Sequence, residues 1–365
     1  VPFLKHRKAL DSISSHIPAK SFDEVKKEFG LDNIIKLFAN ENNMGCSPLV
    51  QTAIEESIKD LAPYPDGYCT KLRAKLAEKY NLKQEQLIFG NGSFELLSLM
   101  AQAFINPGEE SIIPEPSFGW YKVVTLAMDG VIVSLPLKDH VINLEEIKDN
   151  ITSKTKIIWI CNPNNPTGTI IVKDNLNKFL KEVPSDVIVI LDEAYFDFVY
   201  SRDYPDSVKL LHSYSNLIIL RTFSKVYGLA SMRIGYGIAN SEIINYLNKI
   251  RMPVNVNTLA QVAALASLND ETFKKACIEN NSKGKEYFYE SFKELNLEYI
   301  PTQGNFIMVN VEKDSVAVFN EILKRGICVR AGTEFGMPTW LRVTIGRPEE
   351  NELFVRKLKE VLNFS

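Results

Sequence analysis

Three continuous apolar runs mark the middle of the chain: KIIWIC at 156–161, DVIVIL at 186–191 and LIIL at 217–220. Each is strand-length and apolar throughout rather than alternating. Amphipathic stretches such as DNLNKFLKEV separate them. Apolar strands that alternate with helices predict a parallel or mostly parallel α/β sheet. Each run ends on a polar cluster: NPNNPTG after the first, Asp192-Glu193-Ala194-Tyr195 after the second, and Thr222, Ser224 and Lys225 after the third. Open α/β sheets bind ligands beyond the carboxyl ends of their strands, so the shared placement of these clusters predicts a site there.

The flanking pattern extends this picture. Ser47-Pro48 opens a predicted helix, LVQTAIEESIKDL, with proline at an early helical position. APYPDG has turn chemistry, and KLRAKLAEKYN reads as a charged amphipathic helix. A short strand ends at Gly90-Asn91-Gly92 and a helix starts near Ser93, a geometry in which backbone amides attract phosphate. SIIPEPSFGWYKVV reads as a strand followed by a loop carrying Phe118, Trp120 and Tyr121, where an aromatic can stack on a flat ring or simply fill the core. After about residue 255 the pattern shifts to long helices and shorter strands, NFIMVNV, GICVRAG and WLRVTIG. The expected organisation is an N-terminal arm over 1–40, a large domain over 41–255 and a smaller α+β domain over 256–365.

Composition narrows the function classes. The chain has 365 residues, 45% hydrophobic and 24% charged, with net charge −3 and no basic block, which gives no support to nucleic-acid binding. No apolar stretch is long enough for a transmembrane helix, and VPFLKHRKAL lacks a signal-peptide core, so no membrane association is expected. Five scattered cysteines with no C-x-x-C pair point to reduced thiols and a cytoplasmic protein. Four histidines without ligand spacing give no reason to expect a metal.

Taken singly, each polar cluster has an ordinary structural explanation. Together, in order on successive strand ends, they suit pyridoxal phosphate (PLP). That cofactor needs an amine for its aldehyde, cations and hydroxyls for its phosphate, and a carboxylate at its ring nitrogen. Lys225 supplies the amine and a general acid–base, Asp192 the carboxylate, and Asn165 and Tyr195 donors for the phenolic oxygen. Gly92, Ser93, Thr222, Ser224 and Arg233 supply the phosphate set.

NPNNPTG, LDEAY, TFSKVYGLASMRIGYG and WLRVTIG strongly resemble the fold-type-I PLP aminotransferases, and within them the histidinol-phosphate aminotransferases. The likeness covers nearly the whole chain and includes IIKLFANEN, YPDGYCTKLRAKLA and VRAGTEFGMPTWLRVTIGRPEEN. It implies a mostly parallel seven-stranded sheet in the large domain. It makes Lys225 the Schiff-base lysine, adds Phe118 as the residue stacked on the ring, and has Tyr64 reach the cofactor phosphate of a partner subunit. The last role implies a homodimer with shared active sites. Arg342 is expected to bind the carboxylate of glutamate or the phosphate of the other substrate, and Arg330 to help bind that phosphate.

Three departures from the family stand out: Gly90-Asn91-Gly92-Ser93 replaces a more usual acidic phosphate loop, and the other two fall in segments that, by the resemblance, close over the substrate. SHIPAK places His16 at or near the position of a family tyrosine, and Glu41-Asn42-Asn43-Met44 replaces Asn-Glu-Asn-Pro. His16 either binds a substrate phosphate as an imidazolium or is a surface histidine. Threonine-phosphate decarboxylases, of the same superfamily, also resemble this chain in an N-terminal histidine and a GNG loop. The expected activity is therefore amino transfer between glutamate and a phosphorylated ketone, with histidinol phosphate the leading substrate and His16, Asn42, Arg330 and Arg342 the substrate-side residues. The alternatives are a smaller keto phosphate such as dihydroxyacetone phosphate, decarboxylation of a phosphoamino acid, and a non-catalytic binding protein on the same fold.

Overall fold

The three apolar runs lie side by side at the centre of a seven-stranded sheet. A computed structural model describes residues 5–15 and 21–362. The strands are Leu87–Gly90 (β1), Glu110–Glu115 (β2), Val131–Pro136 (β3), Thr155–Cys161 (β4), Ile188–Asp192 (β5), Leu217–Thr222 (β6) and Gly235–Ala239 (β7). Their order is β1-β7-β6-β5-β4-β2-β3, and β7 alone runs opposite to the other six. The sheet is thus mostly parallel, as the unbroken apolar runs predict.

The period of two in a strand explains why those runs are apolar at every position. Ile158, Ile160, Leu217 and Ile219 enter one core, whereas Ile157, Trp159, Ile218 and Leu220 enter the core on the opposite face. Helices cover both faces, and their starts are set by sequence. Ser47 accepts a hydrogen bond from the Leu49 amide with Pro48 in the first turn of Pro48–Ser57, and Asn240 caps Ser241–Ile250 through the Glu242 amide. One local expectation is corrected. Trp120 and Tyr121 do not lie in a loop but open the helix Trp120–Ala127, because Tyr121, Val124 and Thr125 present a buried stripe at helical spacing.

A second, antiparallel sheet forms from Arg330–Ala331, Trp340–Thr344, Phe306–Asn310 and Tyr299–Ile300, in that order. Its core takes in Leu37 from near the start of the chain, and Ile35–Lys36 pairs in parallel with Ile327–Cys328. The helix Thr258–Ser267 packs on Pro48–Ser57 and on Thr70–Tyr80. The 24-residue helix Glu271–Glu294 then runs from the core that contains Cys277 to the one that contains Phe288 and Phe292. No helix among the described residues is long and apolar enough to cross a membrane.

Candidate functional site

The carboxyl ends of β4, β5 and β6 open into one cavity of about 350 Å³. Parallel pairing sets the neighbours: Cys161 stands opposite Asp192, and Asp192 opposite Leu220. Lys225, Asn165, Tyr195, Phe118, Ser93 and Arg233 reach the same space.

Asp192 is buried at the cavity floor. The Tyr121 hydroxyl donates to its Oδ2 at 2.8 Å, and the Ala194 amide donates to Oδ1 at 3.2 Å. Burial raises its pKa to about 6, and those two donors hold it from rising further. The carboxyl is therefore mostly ionised at neutral pH and well placed to pair a cationic ring nitrogen. Tyr121 itself is fixed by stacking on Trp159, with centroids 5.0 Å apart, and by the edge of Phe118.

The Tyr195 hydroxyl accepts hydrogen bonds from Asn40 Nδ2 at 3.1 Å and Asn165 Nδ2 at 3.3 Å. Burial pushes its pKa up, so the phenol stays protonated and can donate. Arg342 reaches the same cluster from the small sheet, with one arm on Asn165 Oδ1 and the other on the Phe38 carbonyl, both at 2.6 Å. Among the described residues its Nε is buried without a hydrogen-bond partner, and burial lowers the guanidinium pKa to about 10. A guanidinium held this close to the cavity, bonded to the lining residue Asn165, has the planar fork that suits a carboxylate or phosphate.

Lys225 donates to the Ala39 carbonyl at 3.0 Å and lies 5.5 Å from the centre of the Tyr195 ring. Desolvation, with Arg342 as the next cause, lowers its pKa to about 7. A substantial fraction of the amine is then neutral and nucleophilic at physiological pH.

The far end of the cavity is an anion cradle. The helix Gly92–Phe104 starts there, with Gly92 at φ +70°. A β-carbon on Gly92 would lie 2.5 Å from Arg233 Nη2, so only glycine lets the guanidinium sit against the helix start. Thr222 Oγ1 bonds to Ser224 Oγ at 2.9 Å and accepts from the Ser224 amide at 3.0 Å, which holds both hydroxyls at the rim. Amine, carboxylate, stacking face and anion cradle therefore lie around one cavity, and this donor set fits the cofactor expected from the sequence.

Three expected residues lie elsewhere. Tyr64 is 89% exposed and makes no contact with the cavity from its own chain. The Arg330 guanidinium pairs with Glu334 and borders an apolar groove beside Phe22 and Phe38. Asn42 turns away from the cavity, its Nδ2 donating to the Val226 carbonyl at 2.8 Å. His16 is outside the described residues. Conversely, the Tyr121 bond to Asp192, the Asn40 bond to Tyr195 and the presence of Glu41 at the cavity wall were not expected. Asn40 and Glu41 open the polar run Asn40-Glu41-Asn42-Asn43 that ends the apolar stretch IIKLFA, which is the available signal.

Residues 32–358 match the family described as aminotransferase class I and II. The chain is 51% identical to a histidinol-phosphate aminotransferase of Caldicellulosiruptor saccharolyticus, covering 98% of this chain and 99% of that one. It is 45% identical to histidinol-phosphate aminotransferase 2 of Carboxydothermus hydrogenoformans, with the same coverage. Among solved structures, the histidinol-phosphate aminotransferase of Clostridium acetobutylicum superposes with a TM-score of 0.84 at 27% identity, over 90% of this chain and 99% of that one. The Sinorhizobium meliloti enzyme, in complex with pyridoxal-5'-phosphate, gives a TM-score of 0.91 over 99% of this chain and 98% of that one; at 23% identity the likeness is one of fold.

Proposed function

The chain belongs to the class I and II aminotransferases, and from that premise we propose that it is a PLP-dependent enzyme exchanging an amino group between glutamate and histidinol phosphate. The observation that carries the substrate is the 51% identity, over nearly the whole length of both chains, to a histidinol-phosphate aminotransferase. The same observation favours it over a smaller keto phosphate and over decarboxylation. PLP, when bound, supplies an electron sink that makes the substrate α-proton acidic.

Each group around the cavity then has a task. The buried Asp192 carboxylate keeps the ring nitrogen protonated. Tyr195 and Asn165 hold the phenolic oxygen, and Phe118 covers a ring face. Ser93, Thr222, Ser224, Arg233 and the Gly92 amide hold the phosphate. Lys225 Nζ would anchor the cofactor and carry the α-proton; in the cofactor-free site its pKa of about 7 leaves part of the amine neutral and able to react near neutral pH. Arg342 takes the substrate anion, and Arg330 joins it after leaving Glu334.

A substrate panel tests this reading. With 2-oxoglutarate as acceptor, histidinol phosphate is expected to exceed phosphorylated amino alcohols lacking the imidazole by at least about tenfold in kcat/KM. Preference for a smaller amine, or carbon dioxide release from a phosphoamino acid without glutamate exchange, overturns it.

The active unit is a cytoplasmic homodimer in this reading. Ile58, Leu61, Tyr64, Met252 and Val254 are all exposed apolar or aromatic side chains that a second subunit would cover. This surface adjoins the anion cradle, because Asn255 bonds Glu95 in the helix that begins at Gly92. In this reading the tyrosine at position 64 reaches the cofactor phosphate of the other subunit across that surface. Light scattering is expected to give twice the chain mass. Tyr64→Phe is expected to weaken PLP affinity about tenfold by loss of one hydrogen bond to a charged group. A monomer of full activity, or unchanged PLP affinity in the variant, refutes the shared site. All five cysteines are free, which agrees with a reducing compartment.

A further inference from the structure

The turn that carries Tyr195 is pinned from two sides. On the sheet side, Arg221 bonds Glu193 through Nε at 3.0 Å and Nη2 at 2.8 Å, and its guanidinium carbon lies 3.8 Å from the centre of the Phe196 ring. On the other side stands the helix Glu271–Glu294. Lys274 pairs with the Asp197 carboxylate at 2.5 Å. Lys285 donates to the Phe198 carbonyl at 3.1 Å and faces the Tyr200 ring at 4.8 Å.

These two lysines are eleven residues apart, about three helical turns, so they share one face and converge on adjacent residues of the turn. Lys285 is 2% exposed, and no carboxylate pairs with it among the described residues. Burial lowers its pKa to about 7. A buried amine without a counter-charge is costly, and a core of Phe288 and Phe292 would accept an apolar side chain more cheaply. What the lysine provides is a donor to one backbone carbonyl three residues beyond Tyr195. The helix that bears it continues into the core of the small sheet, from which Arg342 reaches Asn165.

We propose that Lys274 and Lys285 are positioning residues for the reaction: they clamp the 196–198 turn to the long helix and so fix the Tyr195 hydroxyl against the cofactor's phenolic oxygen and its lysine linkage. This rests on Tyr195 serving PLP as described above. A clamp of this kind acts on geometry, where a displacement on the order of 1 Å costs up to about a hundredfold in rate.

The test uses PLP-loaded full-length enzyme. Lys285→Met keeps side-chain length but loses the donor. It is expected to remain folded with an unchanged or higher Tm, to lose about tenfold in kcat with less than about a twofold change in KM, and to shift the pKa of the cofactor–lysine absorbance band by at least roughly half a unit. Lys285→Arg keeps a donor and is expected to restore most of both. Lys274→Met combined with Asp197→Asn avoids a stranded carboxylate and gives a second, independent arm with the same expected signs. Wild-type kcat and band pKa in folded Lys285→Met overturn the clamp, as does a loss of kcat with no shift of that pKa. If the wild-type protein fails to bind PLP or to exchange amino groups, it is the assigned function that falls instead.

Discussion

Lys225→Ala is expected to abolish amino transfer, by roughly 10⁴-fold or more, because both the covalent anchor and the proton carrier are removed at once. PLP should then be lost on dialysis, and the absorbance of lysine-linked cofactor should be absent even when PLP is added in excess. Turnover within a hundredfold of wild type contradicts the role of this lysine. The apoprotein gives a second, thermodynamic reading. Lys225 has its pKa lowered from 10.5 to about 7 in the folded state. Between those values the unfolded chain binds more protons, so wild-type stability rises with pH across that window. The penalty of a charged, desolvated amine is fully present below about pH 7 and gone above about 10.5. The alanine variant is therefore expected to gain stability relative to wild type at pH 6, by a few kcal/mol, and to lose the advantage as pH rises. Chemical denaturation of the two apoproteins at pH 6 and at pH 10 measures it.

Asp192→Asn is the second large effect. An amide cannot keep the ring nitrogen protonated, and kcat should fall by about 10³-fold, while Lys225 still captures PLP and the absorbance of linked cofactor persists. Loss of cofactor together with activity would instead place Asp192 in binding. Here the pH window is acidic. The folded pKa is raised from 3.8 to about 6, so the folded state binds more protons within that window and wild-type stability falls as pH rises through it. The stability difference favouring asparagine should grow from about pH 4 to about pH 6 and then level off. Both residues are thus kept at the expense of the apoprotein's stability, the usual relation between a site and its scaffold.

How far the sequence discloses such a site depends on where each residue's constraint originates. Asn165, Asp192 and Lys225 sit at the ends of apolar strands, and strand ends are visible as a break in hydrophobicity. The parallel sheet converts that one-dimensional signal directly into proximity. Tyr121 is different. Its hydroxyl meets Asp192 only because its helix packs Tyr121 flat on Trp159, a contact between residues 38 apart that no local pattern encodes. Asn40 is placed by Thr344, 304 residues away, whose hydroxyl accepts from its backbone amide. The motif match to the family supplied Tyr64 and Arg330, and a segment that departs from it supplied Asn42, but family position does not specify side-chain direction. Tyr64 faces solvent in one chain because its proposed target lies in another. Arg330 is held by Glu334, four residues on, a local pairing that lines up only once Gly332–Phe335 coils into a short 3₁₀ turn.

The pairing of Ile35–Lys36 with Ile327–Cys328 bears on how such enzymes can be recombined. A chimera of two homologues with one crossover anywhere between residues 43 and 300 separates this strand from its mate. The same crossover splits Asn40 from Thr344 and Phe38 from Arg342. Residues 35–42 and 300–345 are remote in the gene yet form one exchangeable block, and they carry the proposed substrate-side residues Arg330 and Arg342 with them. Libraries intended to change the amino acceptor should therefore move the two segments together and leave the strand ends of the large sheet in place.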